Sequence, residues 1–383
     1  MESSSFIADS NLIAPTQNFN FEHLEFEAKT TLLDKVNRVA NNLVFGAALC
    51  GVYMFATGGT GLGGTGLACY AAYLAMALTA RKIASTTIGY IAYPAAANSL
   101  LPRSKQSTDL EGIAKRMQRD GYIVKNISLY KSGVKYDGLI VTHENNISNS
   151  KWTINALGNG MNMQDVVDHF AAENFSNEFN TLIINGPSVG QSGGWPTRYQ
   201  MGAGFEAGLQ YLEQKAQATH IIMHGFSLGG GMMAEAILNH DFAEGQKKNI
   251  QYLSISDRSF SRLSTAAGAI IGEAAGMALG KIVELIFYIT GTELDGVRAA
   301  QRLSQLNIKQ IVIQHNGLFN QTNTDDVIPD SASLAYELGK EGKEGMFKDK
   351  VFIESEEVSH NFGLPNNLTR ELKHNIKKFR KNS

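Results

Sequence analysis

The hydrophobic pattern changes character along the chain. From Ser107 to the C-terminus, short apolar runs alternate with stretches whose apolar residues recur every three or four positions. That order predicts an α/β fold, a mostly parallel central sheet flanked by helices. Strands are expected at Ile127 to Tyr130 and Leu139 to His143, paired through a turn near Gly133, then at Thr153 to Leu157 and Thr181 to Ile184. An apolar run leading to Gly225 follows, then Tyr252 to Ile255, Gln310 to Gln314 and Val351 to Glu354. A first helix carries Leu110, Ile113, Ala114 and Met117 on one face and stops at Gly121. Further helices are expected from about Gln164 to Glu173, Tyr199 to Lys215 and Gly231 to Asn239.

Before Ser107 the pattern differs. Residues 1–40 open polar and acidic, without a basic segment followed by an apolar block, which argues against a secretory signal peptide and predicts a flexible tail or a weak helix. Residues 41–95 predict an apolar helical hairpin. No charge lies between Arg38 and Arg81, and two apolar blocks, Leu43 to Thr57 and Leu67 to Thr79, flank the glycine-rich Gly58 to Gly66. Each block is shorter than the roughly 20 residues that span a bilayer. Either the hairpin enters a membrane and turns at its glycines, or the blocks bury against each other and the rest of the protein. Small residues on both blocks permit the close helix approach found in membranes, so membrane association is the favoured expectation. Arg81, Lys82, Tyr90 and Tyr93 would then mark an interface. Pro94 to Gln106 reads as a linker into a domain spanning 107–383.

Composition narrows the classes. With 34 Lys and Arg against 36 Asp and Glu the net charge is −2, and no basic cluster is interleaved with aromatics, so no nucleic-acid partner is expected. The two cysteines, Cys50 and Cys69, form neither a disulfide framework nor a metal-ligand spacing, which suits a reducing, cytoplasmic compartment. His143, His169, His220 and His224 are scattered. Neither a metal nor a cofactor is expected. Nothing in the sequence sets an oligomeric state.

The chemistry concentrates at Gly225-Phe226-Ser227-Leu228-Gly229, set between an apolar strand and an Ala/Met/Ile/Leu helix. A serine on such a sharp strand-to-helix turn has side-chain-poor flanks that lift its hydroxyl clear of the sheet, and the helix N-terminus favours negative charge beside it. Ser227 is therefore the candidate nucleophile. Catalytic groups gather at the carboxyl ends of parallel strands. The loop after Gln310 to Gln314 ends in Asp325-Asp326-Val327-Ile328-Pro329, and the loop after the final strand carries His360. The chain order is thus Ser, Asp, His, with His360 as general base and a carboxylate fixing its tautomer. Asp325 is preferred as the acid, with Asp326 more suited to capping the helix near Pro329 and Asp257 to pairing with Arg258; all three remain open. The Leu228 and Asn159 N–H groups are the candidate oxyanion donors.

With these residues in place, Tyr136 to His360 resembles the α/β-hydrolase superfamily. Gly-Phe-Ser-Leu-Gly-Gly, the upstream Gly190 to Thr197 and Asp325 to Pro329 are similar to its esterase-like branch. The whole chain more loosely resembles the CHLPS proteins of intracellular bacteria. Leu157-Gly158 stands where that branch has His-Gly, and Asn361 follows the histidine. The resemblance implies serine hydrolase activity and names no substrate; an acyl-enzyme on Ser227 would form from an ester, thioester or amide. The segment Leu263 to Asn307 sits where such enzymes insert a helical lid; its apolar core, Ala266 to Thr290, is either that lid or a buried helix, and the spaced charges Glu273, Lys281 and Glu284 argue against a third membrane element. The apolar lid and hairpin favour a lipid-like ester as substrate. The rival expectation is a membrane-anchored interaction protein, secreted by a bacterium into a host cell, that keeps the fold without the activity.

Overall fold

The computed structural model describes residues 22–30, 77, 79–93, 110–176, 178–315, 325–341, 350–355, 360, 361 and 363–381. Within them, nine strands form one sheet: β1 (His23–Glu27), β2 (Tyr122–Lys131), β3 (Val134–His143), β4 (Lys151–Ala156), β5 (Asn180–Ile184), β6 (His220–Phe226), β7 (Gln251–Asp257), β8 (Lys309–His315) and β9 (Lys350–Ser355). Their spatial order is β1-β2-β3-β5-β4-β6-β7-β8-β9. Only β3 runs against the rest, because it closes a tight hairpin with β2. The two-residue turn there is Ser132 (φ 54°) and Gly133 (φ 78°), both left-handed, which matches the twist of paired strands.

The helices are α1 (79–92), α2 (Leu110–Arg119), α3 (Met163–Ser176), α4 (Arg198–Gln214), α5 (Leu228–Asn239), α6 (Phe242–Lys247), α7 (Leu263–Ala275), α8 (Met277–Thr290), α9 (Gly296–Gln305), α10 (Leu334–Glu341) and α11 (Asn366–Lys381). Strands buried on both faces read as continuous apolar runs. In β6, Ile221 and Met223 pack with Leu209 of α4 and Met232 of α5, whereas Ile222 faces the other way, with Ile255, Ile313 and Leu372 of α11. The sheet is therefore sandwiched, with β6 near its middle.

Three sequence expectations need correction. The stretch read as a tail or weak helix contains β1, parallel to β2 with Leu24 opposite Ile127 and Phe26 opposite Leu129. Of its five residues only Phe26 is buried, so this edge strand carries almost no apolar signal of its own. Tyr93, expected at a membrane interface, is 1% exposed. Its hydroxyl sits where a Cβ on Gly186 would lie 2.5 Å away, and this close fit ties the end of α1 to the sheet-bearing domain. Finally, the segment Leu263 to Asn307 is two things: α7 and α8 form a helical pair, but α9 buries Val297, Ala300 and Leu303 on the body of the fold. Its apolar residues at helical spacing make it a sheet-flanking helix.

The apolar hairpin expected over 41–95 lies outside the described residues except for 77 and 79–93, as do most of the N-terminal tail, the linker from Pro94 to Gln106 and both cysteines. Among the described residues no helix is long and apolar enough to cross a membrane.

Candidate active site

β6 ends at Phe226 and α5 begins at Leu228, so Ser227 makes the whole turn. Its φ of 53° and ψ of −121° are strained for a residue with a side chain. Two bonds hold it there: Ser227 N donates to Asp257 O (2.9 Å), and Ser259 Oγ donates to Ser227 O (3.0 Å). Glycine is required on both sides. A Cβ on Gly225 would lie 2.6 Å from Gly230 Cα, and one on Gly229 would run into Ala156 O on the neighbouring strand.

His360 reaches this turn from beyond β9. Its Nε2 is 2.8 Å from Ser227 Oγ, and its Nδ1 is 3.0 Å from each carboxylate oxygen of Asp325. All three residues are buried. Asp325 has further donors. Val327 N and Ile328 N donate to Oδ1 at 3.0 and 2.8 Å, and Gln314 Nε2 donates to Oδ2 at 3.2 Å. Burial pushes this carboxyl up, but the His360 hydrogen bond, the two backbone N–H groups and the imidazole charge together outweigh it and hold the acid below its usual range. With the acceptor on its Nδ1 side, the neutral imidazole carries its proton there and presents a bare Nε2 to the hydroxyl.

The other two candidate acids are engaged differently. Asp326, expected to cap a helix, accepts His360 N (3.0 Å) and so holds the backbone of the histidine while Asp325 holds its ring. Asp257 pairs with Arg258 through Oδ1 (2.7 Å) and Oδ2 (3.0 Å). Burial pushes Asp257 upward, but the Arg258 and His224 contacts hold it well below the carboxylate range. Arg258 also donates from Nη1 to His360 O (2.8 Å), and its guanidinium lies 4.7 Å from the centre of the Phe226 ring. Sequence reasoning paired Arg258 with Asp257 but missed its bond to His360. Gln314 was missed too, since a glutamine at a strand end carries no distinguishing signal.

Leu228 opens α5, so its N–H is one of the first-turn donors that lack an intrahelical acceptor. Asn159 stands three residues past Ala156, which pairs with Gly225 across β4 and β6. It is exposed and belongs to the turn closed by Met161 N donating to Gly158 O (3.3 Å). Gly158 fits because a Cβ there would lie 2.7 Å from Phe226 Cδ1.

A cavity of about 650 Å³ lies on the α3 and α11 side of the sheet. Its wall includes Met161, Phe226 and Asn361, which adjoin the Asn159 turn, Ser227 and His360, and the apolar Ile222, Ile255 and Leu372. On the opposite face Leu263 of α7 and Phe287 of α8 come together around Leu228. Among the described residues no group of His, Cys, Asp and Glu side chains is arranged to hold a metal ion.

An α/β hydrolase from Vibrio vulnificus has the same fold, with a TM-score of 0.52 at 13% identity over 76% of this chain and 92% of that one. Weaker overlaps occur with an esterase from Pyrococcus furiosus (TM-score 0.46, 15% identity, 69% of this chain and 92% of that one) and with the ferulic-acid-bound Est1E from Butyrivibrio proteoclasticus (0.44, 14%, 66% and 97%). No curated protein sequence matches the chain. The Chlamydia CHLPS protein family (DUF818) matches residues 105–380, well over half of the sequence and all of the sheet except β1. The chain therefore belongs to the Chlamydia CHLPS protein family, built on the α/β-hydrolase fold.

Proposed function

We propose that the protein is a serine hydrolase that cleaves a carboxylic ester, including a lipid ester or thioester, through an acyl-enzyme on Ser227. The observation that carries this reading is the unbroken hydrogen-bond chain from Ser227 Oγ through His360 to the Asp325 carboxylate, on a backbone turn strained to hold the hydroxyl in place. Ser227 Oγ attacks the acyl carbon while His360 Nε2 takes its proton. The carbonyl oxygen becomes an oxyanion, which the Leu228 and Asn159 N–H groups receive. Collapse of the tetrahedral intermediate breaks the bond to the leaving oxygen or sulfur, which takes the proton back from Nε2. Water then repeats the sequence on the acyl-enzyme. Asp325 holds the imidazole in the productive tautomer and stabilises its cation without taking the proton. No cofactor enters any of these steps.

Labelling with a fluorophosphonate probe, together with hydrolysis of acyl esters of graded chain length, tests the proposal. Wild type should label and turn over, and Ser227→Ala should do neither while keeping its circular dichroism spectrum. Equal labelling of the two proteins would end the claim, and an unreactive wild type would favour a binding protein on a hydrolase fold.

A further inference from the structure

α7 and α8 meet through glycines. A Cβ on Gly268 would lie 2.5 Å from Glu284 Cγ, and one on Gly280 would run into Gly268 O, so the two backbones approach as closely as helices in a membrane do. This seam is nearly all that α8 buries. Of its 14 residues only Gly280, Phe287 and Thr290 are buried. Around the remaining circumference stand Met277 (85% exposed), Tyr288 (76%), Ile289, Leu285 and Ile282, each more than half exposed. A helix that is apolar on nearly every side is normally covered.

The character of the cover can be read from charge, length and continuity. Lys281 Nζ lies 2.8 Å from both carboxylate oxygens of Glu284, so the two charged residues of α8 neutralise each other and the helix itself carries no net charge. Fourteen helical residues extend about 21 Å, against the roughly 30 Å of a hydrocarbon core. α8 is thus too short to cross a bilayer but long enough to lie in its interface, where a tyrosine such as Tyr288 is at home. Arg81, which follows the long uncharged stretch of the sequence, stands beside it: a Cβ on Gly291, the residue that ends α8, would lie 2.8 Å from Arg81 Nη2. The neighbouring α1 also leaves Ile83 and Ile91 largely exposed.

We infer that the exposed face of α8 docks on the surface of a neutral phospholipid bilayer. Lipid covers such a face without needing a matching shape. Because Phe287, on the inner side of α8, shares a small cavity lining with Leu228, docking brings the bilayer close to the nucleophile turn. An ester drawn from the membrane is the substrate this geometry suits. That last step rests on the proposed role of Ser227; the docking does not.

The test is flotation of the full-length chain with phosphatidylcholine vesicles, done in a Ser227→Ala background so that turnover plays no part. The protein should float, and should do so about as well in high salt as in low, since the apolar face of α8, itself without net charge, carries the binding. Leu285→Glu/Ile289→Glu, two charges on adjacent turns of one exposed face, should lower the partition coefficient at least about tenfold, with an unchanged circular dichroism spectrum. Failure of wild type to float, binding that needs anionic lipid, or equal flotation of the double variant would each overturn the inference. So would a wild type that is dimeric by light scattering and turns monomeric in the double variant, because the face would then join two copies of the chain. In the active background the same double variant should keep hydrolysing a water-soluble ester if Ser227 acts as proposed. Loss of flotation with retained hydrolysis supports docking, and flotation without any hydrolysis removes the enzymatic reading alone.

Discussion

Replacing Asp325 with asparagine exchanges one carboxylate oxygen for an NH2 group and tests the whole proton path. Oδ1 of Asp325 receives N–H groups from Val327 and Ile328, so the amide in Asp325→Asn must keep its oxygen on that side and turn its NH2 to the position of Oδ2. Oδ2 now accepts from His360 Nδ1 (3.0 Å) and Gln314 Nε2 (3.2 Å); Nδ1 is equally 3.0 Å from Oδ1, but that oxygen already accepts two backbone N–H groups, so an NH2 at Oδ2 sets donor against donor at Nδ1 and favours the tautomer with Nδ1 bare and Nε2 protonated. That tautomer donates to Ser227 Oγ instead of taking its proton. The corresponding change in a serine protease lowers kcat about 10⁴-fold, which is about 5.5 kcal/mol of transition-state stabilisation. We expect a loss of similar size here, because Asp325 is just as buried and solvent cannot restore the tautomer. The assay is kcat for a short-chain ester and the rate of fluorophosphonate labelling, with a melting curve to verify the fold. Asp257→Asn serves as the comparison, since Asp257 is paired with the Arg258 guanidinium whereas the His360 ring bonds to Asp325. Activity of Asp325→Asn within tenfold of wild type, with collapse in Asp257→Asn, would show that the wrong carboxylate had been chosen.

Two further outcomes follow from the packing and the charges. Gly229→Ala should fold poorly, because its Cβ meets backbone (Ala156 O) that cannot swing away; overpacking of this kind costs about 1–3 kcal/mol or more, and a melting temperature equal to wild type would contradict it. Asp330 is pushed up to about 6 by burial and by the neighbouring Asp325 carboxylate. An acid raised in the folded state penalises folding once the pH exceeds that value, and the penalty disappears below the ordinary carboxylate range. Asp330→Asn should therefore stabilise the fold at pH 8 by less than about 1 kcal/mol, given the screening of a partly exposed group, seen as a small rise in melting temperature, and should leave the melting temperature unchanged at pH 3. A variant that is less stable than wild type at pH 8 would refute the assignment.

The sequence by itself determined the sheet-bearing body and the sharp strand-to-helix turn at Ser227. Both are local: a strand buried on two faces must be apolar throughout, a helix must repeat near every third or fourth residue, and a turn as sharp as that at Ser227 admits little but glycine beside it. Chain order also narrowed the histidine to His360. What only the tertiary structure decided is how residues far apart share one site. Asp325 and Asp326 are neighbours of the same type, and they differ only because one meets the ring of His360 and the other its backbone. Asp257 is held by a guanidinium that also grips His360 O. β1 was hidden because its place depends on β2, a partner distant along the chain, and the open face of α8 was hidden because apolar residues look the same in sequence whether a core or nothing lies against them. Periodicity records what each element needs from its surroundings, whereas pairing and exposure depend on which surroundings the fold supplies.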